Sequence, residues 1–563
     1  MPTENWIGFL DGRDERERKE FLPDSFVITK SIKEALNPAL PFICGRRGAG
    51  KSTIAYELGI LKENGKSKYD SYMYITRDDY ELLQEILVSD IIKNPYLSSS
   101  SQEIDSFFFE IWNYIINLIR FQCAIQLSSK GILKDNEIEK IVEFMKGNGG
   151  IDISPIYTAV DKVCECLSQI KDESAPATKF ILALKGLKSK PGFVSAMKRA
   201  QEIFERYSAI VAIDTLEEYD LDEWKIHSWR GMCRSIKDFH SFGKNGNMFI
   251  KCFLPAELTE YVFKENLAKY SDFSVYLQWN YMELIEFIAK RYSIFLRENG
   301  FPQESNNINS LITSSKKVKS MNEKRTFWRE KFWNRYFQNP IRNNYGWMED
   351  SAAYIIRHTQ KRPREIISCM NSIIDKSIEN NEFQEGKIPI ISEKSIINGI
   401  HNSDNLCQLL SDNLSIFNLS RSHDISRSMR YVAETLLSNE LCVFKGSKLK
   451  NFSKRAFSLL TQHTNLSETP DIMATELLMR SGLLGTVIAV NEWLEPEETE
   501  KCKYYLTQFE YCIPGQVSVN DRTICAVHPM LADHLHLKSP DKGVVYHLSE
   551  DVDLIPNLSL SKD

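Results

Sequence analysis

The sequence predicts an α/β protein built on a parallel sheet, on three observations. A short apolar run, Pro41–Cys44, breaks into a glycine-rich turn and resumes as a helix. Four further buried-strand patterns follow, Ser71–Thr76, Ala209–Ile213, Asn247–Leu254 and Phe273–Trp279. Helical stretches separate them, the alternation that gives parallel strands joined by helical crossovers. With 563 residues the chain exceeds what one core holds, so two to four domains are expected.

The turn reads Gly45-Arg46-Arg47-Gly48-Ala49-Gly50-Lys51-Ser52 and fits G-x-x-x-x-G-K-[ST], the phosphate-binding P-loop. Its glycines let the backbone curl so that successive N–H groups point into one concavity. The helix that continues through Ser52 and Thr53 adds its positive dipole end. Lys51 can reach the β- and γ-phosphates, and the Ser52 hydroxyl can ligate Mg²⁺. The expected ligands are ATP and Mg²⁺, and the expected core is that of a P-loop NTPase.

Ser71–Thr76 is the second strand. Phe107–Leu127 is apolar over most of its circumference yet too polar for a membrane span, so it is expected as a helix inside the globule. Residues 130–207 continue mainly helical, and together these form a large helical insertion over about residues 90–205. The run Ala209–Ile213 ending in Asp214 has the form of a Walker B strand, whose acid holds Mg²⁺ through water. Glu217 and Glu218 follow at once. One of them is placed to orient and deprotonate the attacking water; the reading leans to Glu217 and leaves Glu218 open. Acids after a strand also suit the start of a helix without any catalytic duty. A strand lying in sequence between the P-loop strand and the Walker B strand suggests the ATPase class with an added central strand, not the small kinases or GTPases.

Net charge is −6, so no global polycation advertises nucleic-acid binding. Twelve cysteines are scattered; Cys164 and Cys166 have C-x-C spacing without a second pair to complete a zinc site. No apolar run reaches ~18 residues, so no membrane span is expected. The polar start of the chain does not read as a signal peptide, and a cytoplasmic protein is expected.

Four stretches, "GRRGAGKST", "AIVAIDTLEE", "VYLQWNYMELIEFIAKRY" and "HTQKRPREIISCMNSII", occur in an order that resembles bacterial STAND/AAA-like P-loop ATPases. Those proteins are similar to origin-recognition-type AAA+ ATPases and are often found in antiphage defence loci. The resemblance covers roughly residues 20–380. The family's D-G-L-D-E corresponds to Asp214-Thr215-Leu216-Glu217-Glu218, and its W-x-x-x-x-L-x-x-x-x-x-x-R to Trp279, Leu284 and Arg291. Its R-P-R motif, opening a lid helix, corresponds to Arg362-Pro363-Arg364, and the resemblance implies that one of these arginines is a sensor of the γ-phosphate. A guanidinium fork suits phosphate oxygens, and Pro363 suits a helix start. Many relatives carry a polar sensor after the strand at Asn247–Leu254, where this chain has Pro255.

The expected organisation is a P-loop ATPase core over 1–285, a helical lid over 286–420 and a winged-helix-like module over 421–563. In the last, helical patterns at 424–438, 453–465 and 471–485 precede two strand-like runs, Thr486–Trp493 and Lys503–Tyr511, joined by an acidic loop; His528 reads as structural. The polar stretch Glu304–Asn309 is expected as a surface loop. Two basic stretches stand out. One holds Lys445, Lys448, Lys450, Lys454 and Arg455; the other mixes Lys316, Lys317, Lys319, Lys324, Arg325 and Arg329 with Trp328, Phe332 and Trp333. They read either as tracks for DNA or RNA or as solvated faces with their aromatics in the core. The leading reading is a regulatory ATPase, a homo-oligomer that acts with a separate effector protein. The rival is a nucleic-acid motor or loader, and a third reading is an ATP-dependent scaffold with negligible turnover.

Overall fold

A computed structural model describes residues 5–9, 25–60, 62–63, 66–75, 101–147, 155–168, 176–214, 223–241, 246–256, 259–263, 267–401, 441–449, 478–479, 481–494, 501–509 and 520–547. The chain forms two compact units. One comprises Lys30–Arg47 and Lys51–Leu277, the other Gln278–Asp563 with Met1–Thr29 and Gly48–Gly50.

The first unit is built on five strands: β1 (Phe42–Gly45), β2 (Ser71–Ile75), β3 (Ala209–Ile213), β4 (Met248–Pro255) and β5 (Ser274–Tyr276). Their order is β2-β3-β4-β1-β5 and every pairing is parallel. All five residues of β3 and all four of β1 are buried, as expected where helices cover both faces of a parallel sheet. The sequence anticipates all five strands but not their order. The strand standing between β1 and β3 is β4, while β2 lies at the edge. Gly45 is opposite Pro255 and Ile213 opposite Cys252, so the carboxyl ends of β1, β4 and β3 share one edge. The fifth strand is also shorter than its apolar run; Leu277 N still donates to Cys44 O at 2.7 Å, and the chain then leaves the sheet.

Helix α1 (Lys51–Ile60) follows β1. Among the described residues five helices stand between β2 and β3: α2 (Ser101–Ser129), α3 (Asp135–Lys146), α4 (Pro155–Ser168), α5 (Pro176–Ser189) and α6 (Pro191–Phe204); α7 (Glu223–Ser241) stands between β3 and β4. Helix α2, ~44 Å long at 1.5 Å per residue, buries Phe107, Phe108, Ile111, Trp112, Ile115, Leu118 and Ile119. It is covered by α7 on one side and by α3 to α6 elsewhere, which is why it is apolar nearly all round. Gly231 on α7 allows the closest approach: a Cβ there would stand 2.6 Å from the Phe108 backbone.

The second unit begins with α8 (Tyr281–Glu298). Asn280 caps it, its side chain accepting from Glu283 N at 2.8 Å while the Glu283 carboxylate accepts from Asn280 N at 3.0 Å. There follow α9 (Pro302–Ser315), α10 (Met321–Trp328), a π turn over Arg329–Trp333, α11 (Ser351–Arg357), α12 (Pro363–Glu379) and α13 (Glu393–His401). The expected loop at Glu304–Asn309 is therefore helix. Pro302 starts it, Ser305, Ile308 and Ile312 bury its inner face, and Glu304 is tied to Arg335 at 3.0 Å and to the Tyr336 hydroxyl at 2.6 Å. So narrow an apolar stripe hides the helical period. The amino-terminal segment Asn5–Phe9 belongs to this unit. Asn371 of α12 accepts from Ile7 N at 2.9 Å and donates to Gly8 O at 3.1 Å, and the Trp6 indole donates to Asp375 at 2.5 Å.

A second sheet follows: β6 (Val443–Lys445), β7 (Leu484–Leu494), β8 (Lys501–Gln508), β9 (Ile524–Val527) and β10 (Val544–His547), in the order β6-β9-β7-β8-β10. The expected hairpin is present as antiparallel β7 and β8, but within a five-stranded mixed sheet whose β8–β10 pair is parallel. The helices expected at 424–438 and 453–465 lie outside the described residues, and so does most of the one at 471–485.

Asp533, in the short helix α14 (Pro529–His534), accepts from His358 Nε2 at 2.8 Å. Burial pushes the Asp533 carboxyl up, but the hydrogen bond from His358 and the charges of His358 and Arg357 outweigh it and hold the group below the ordinary carboxylate range. A depressed carboxyl contributes stability above its unfolded value of ~3.9 and loses it as pH falls through the native value. Asp533→Asn should therefore flatten the acid limb of the stability–pH curve below about pH 4; a limb identical to wild type in urea titrations would remove Asp533 from the acid response.

Candidate nucleotide site

The glycine-rich turn lies between β1 and α1, as a phosphate loop requires. Gly48 and Gly50 have φ of +81° and +99°, a region closed to most L-residues. A Cβ on Gly48 would stand 2.8 Å from the Arg364 Cβ. Gly48 O accepts from Arg364 N at 3.3 Å, and Ala49 O accepts from the Trp279 indole Nε1 at 3.0 Å. Lys51 opens α1 and is buried; its ammonium donates to Gly45 O at 2.7 Å and Arg46 O at 3.2 Å. Arg46, Arg47, Ser52 and Thr53 are half-buried, the last two in the first turn of α1.

Asp214 follows β3 directly and is 1% exposed. Its N–H extends the ladder to Ile75 O at 3.1 Å, and its Oδ2 accepts from the Tyr74 hydroxyl at 2.8 Å. The sheet thus sets Gly45, Lys51 and Asp214 along its carboxyl edge, where α/β sheets bind ligands. Sequence reasoning missed Tyr74. The available signal is Tyr72-x-Tyr74: residues two apart on a strand share a face. Here the two rings stack at 6.5 Å, one hydroxyl donating to Ala55 O of α1 at 2.7 Å and the other to Asp214.

Glu217 and Glu218 lie outside the described residues. Of the motif Trp279, Leu284 and Arg291, only Trp279 meets the loop. Leu284 is core, and buried Arg291 donates to Ile7 O at 2.9 Å with its guanidinium over the Phe287 ring. The arginine pair at the start of α12 also divides. Arg362, the buried N-cap, forms an ion pair with Glu365, which accepts from Gln360 N at 2.5 Å. Arg364 is half-buried and carries the backbone contact to Gly48. A basic pair at a positive helix end looks unfavourable in sequence; Glu365 in the same turn offsets it. Pro255 closes β4 beside Gly45 and offers no side-chain donor there.

His528 is wholly buried, its Nδ1 accepting from Met530 N at 3.2 Å and its Nε2 facing Thr359 O at 3.1 Å. Burial pushes its pKa down to about 3, as for a core histidine. Cys164 and Cys166 sit on α4, and among the described residues no group of three or more metal-binding side chains gathers. Lys445 and Lys448 are exposed, while Lys450, Lys454 and Arg455 lie outside the described residues. Lys316, Lys317 and Lys319 are exposed, but Trp328, Phe332 and Trp333 are buried, with Trp333 stacked on Phe337 at 4.3 Å. The aromatics of that basic stretch are core residues and cannot stack bases. Among the described residues no helix is long and apolar enough to cross a membrane.

Residues 306–400 match the family described as the FunZ-associated C-terminal helical domain. The matched segment runs from within α9 to α13, and holds Arg362–Arg364. No curated protein and no solved structure matches the chain.

Proposed function

We propose that this chain is a regulatory ATPase: ATP binding switches its state, hydrolysis resets it, and a separate effector polypeptide reads it. The observation that carries the proposal is one sheet edge bearing a positive-φ glycine loop, a buried lysine at the following helix start and a buried acid on β3, with β4 interposed. That strand order suits the ATPase class with an added central strand. The glycines fit a phosphate group because the loop's conformation excludes side chains. Lys51, Ser52 and Thr53 would bind the phosphates, with Ser52 and Asp214 on the side of Mg²⁺. When bound, Mg²⁺ supplies neutralisation of the phosphate charge. Lys51 exchanges its carbonyl acceptors for phosphate oxygens, Tyr74 orients the Asp214 carboxylate, and the sequence resemblance offers one of Arg362 and Arg364 as the sensor of the γ-phosphate. An antiphage role, homo-oligomers and an effector partner are proposed from the sequence resemblance. The nucleic-acid motor reading retains exposed lysines, but Trp328, Phe332 and Trp333 among them are buried, so it ranks second.

Phosphate release tests the chemistry. Glu217→Gln should keep ATP bound and slow turnover by ~10²- to 10⁴-fold, because an amide can orient water but not take its proton. Glu218→Gln should do much less, and the opposite ranking would move the base to Glu218. A wild-type chain that neither binds nor hydrolyses ATP, alone or with its co-purifying partners, defeats the proposal. Steep, salt-sensitive stimulation by DNA would favour the motor.

A further inference from the structure

Two hydrogen bonds at the tip of the loop have no counterpart in the phosphate-binding motif: Trp279 Nε1 to Ala49 O at 3.0 Å and Arg364 N to Gly48 O at 3.3 Å. We infer that Trp279 is a positioning residue that aims the loop's amides at the β-phosphate of a nucleoside di- or triphosphate. The inference rests on the nucleotide reading above.

The argument is one of peptide geometry. A trans peptide is planar, and the carbonyl of one residue points opposite to the N–H of the next. Tying Ala49 O to the indole therefore turns the Gly50 N–H to the other side of the chain. Tying Gly48 O to Arg364 N does the same for the Ala49 N–H. These are two consecutive peptide planes, flanked by residues at φ +81° and +99° that have no side chains of their own to restrict them. A loop whose amides are already aimed avoids the ordering cost on binding.

The choice of residue fits the task. An indole N–H is a donor only, whereas a serine, asparagine or histidine could accept from the backbone and hold the plane reversed. The donor is also rigid. Trp279 is 7% exposed, and its ring meets Phe287 of α8 edge-on, with centroids 5.5 Å apart. Arg364 adds the first backbone N–H of α12, because Pro363 before it has none. Loop amides of this kind address the α- and β-phosphates, so loss of the indole donor should be felt by any ligand carrying a β-phosphate and not by a monophosphate.

The test is calorimetric titration of MgADP, MgATP and AMP into wild type and Trp279→Phe, which keeps an aromatic ring and removes the N–H. The expected result is a loss of about three- to tenfold for ADP and ATP alike, the size of one hydrogen bond, with AMP unchanged, so that the preference for ADP over AMP falls by the same factor. A general loosening of the fold would weaken all three ligands together, and that outcome overturns the inference. An unchanged ADP-to-AMP ratio in a folded variant overturns it as well. Should the variant not fold, hydrogen exchange on the wild type decides: the Trp279 indole must be protected with and without ADP, and the Ala49 and Gly50 amides must gain protection on adding ADP. A freely exchanging indole refutes the inference. Wild type that binds no ADP refutes the nucleotide reading itself, a result distinct from all of these.

Discussion

Lys51→Ala should lower ATP affinity by about a hundredfold or more, since charge-assisted hydrogen bonds each contribute ~1.5–3 kcal/mol. The lysine loses its reach to the phosphates, and the loop loses its internal tie. Lys51 is 4% exposed and its ammonium donates to Gly45 O and Arg46 O, so it braces the loop before any ligand arrives. Alanine keeps the helix start and removes both functions. Ligand-dependent melting gives a simple readout. Saturating ATP at a hundred times Kd should stabilise wild type by ~2.7 kcal/mol, whereas the variant should show no shift. Affinity within twofold of wild type would detach the loop from phosphate binding.

Arg357→Ala should cost about 3–5 kcal/mol of stability, the usual result of stripping one partner from a buried ion pair. Arg357 Nε donates to Glu349 Oε1 at 2.8 Å, and the two side chains are 3% and 0% exposed. Among the described residues the other side chain on Glu349 is Asn343, donating at 2.9 Å, a neutral group that cannot replace the charge. The guanidinium also lies over the Tyr354 ring at 4.7 Å, so its loss removes packing as well. Replacing both partners with apolar residues, Arg357→Met with Glu349→Leu, should restore most of the loss, because the cost lies in the orphaned charge. Urea unfolding without nucleotide measures this. A single variant within about 1 kcal/mol of wild type would mean that water reaches Glu349.

The strands of the first sheet were legible because a strand covered on both faces is a continuous apolar run: Ala209–Ile213 can hardly be read otherwise. The loop was legible because its glycine spacing is a backbone requirement. What the sequence hides is what depends on distant pairing. Nothing local to Met248–Pro255 says that it stands between β1 and β3. In the second sheet, β6, β9 and β10 are three or four residues long, too short for a period to emerge, and β10 reaches β8 as a parallel neighbour. Tyr74, and the bond that Trp279 of the resemblance motif makes to the loop, escaped for a related reason. Each acts on a loop or an acid far away in sequence, and neither a strand tyrosine nor a buried tryptophan advertises its polar end. The basic, aromatic stretch misled through its local geometry. The π turn at Arg329–Trp333 adds a residue to one helical turn, and within it the adjacent Phe332 and Trp333 are both buried.

Asn371 treats Ile7 and Gly8 as a neighbouring strand would, its side-chain amide giving and taking one hydrogen bond each. It stands on the same helix whose first amide holds Gly48. Handling of the residues around Trp6 is thus a question of protein engineering as much as of stability. A fusion tag or a protease that peels this segment away strips bonds from the middle of α12, about 12 Å along the helix from the end that touches the loop. Nucleotide assays on chains tagged beside Trp6 and on untagged chains are for this helix different experiments.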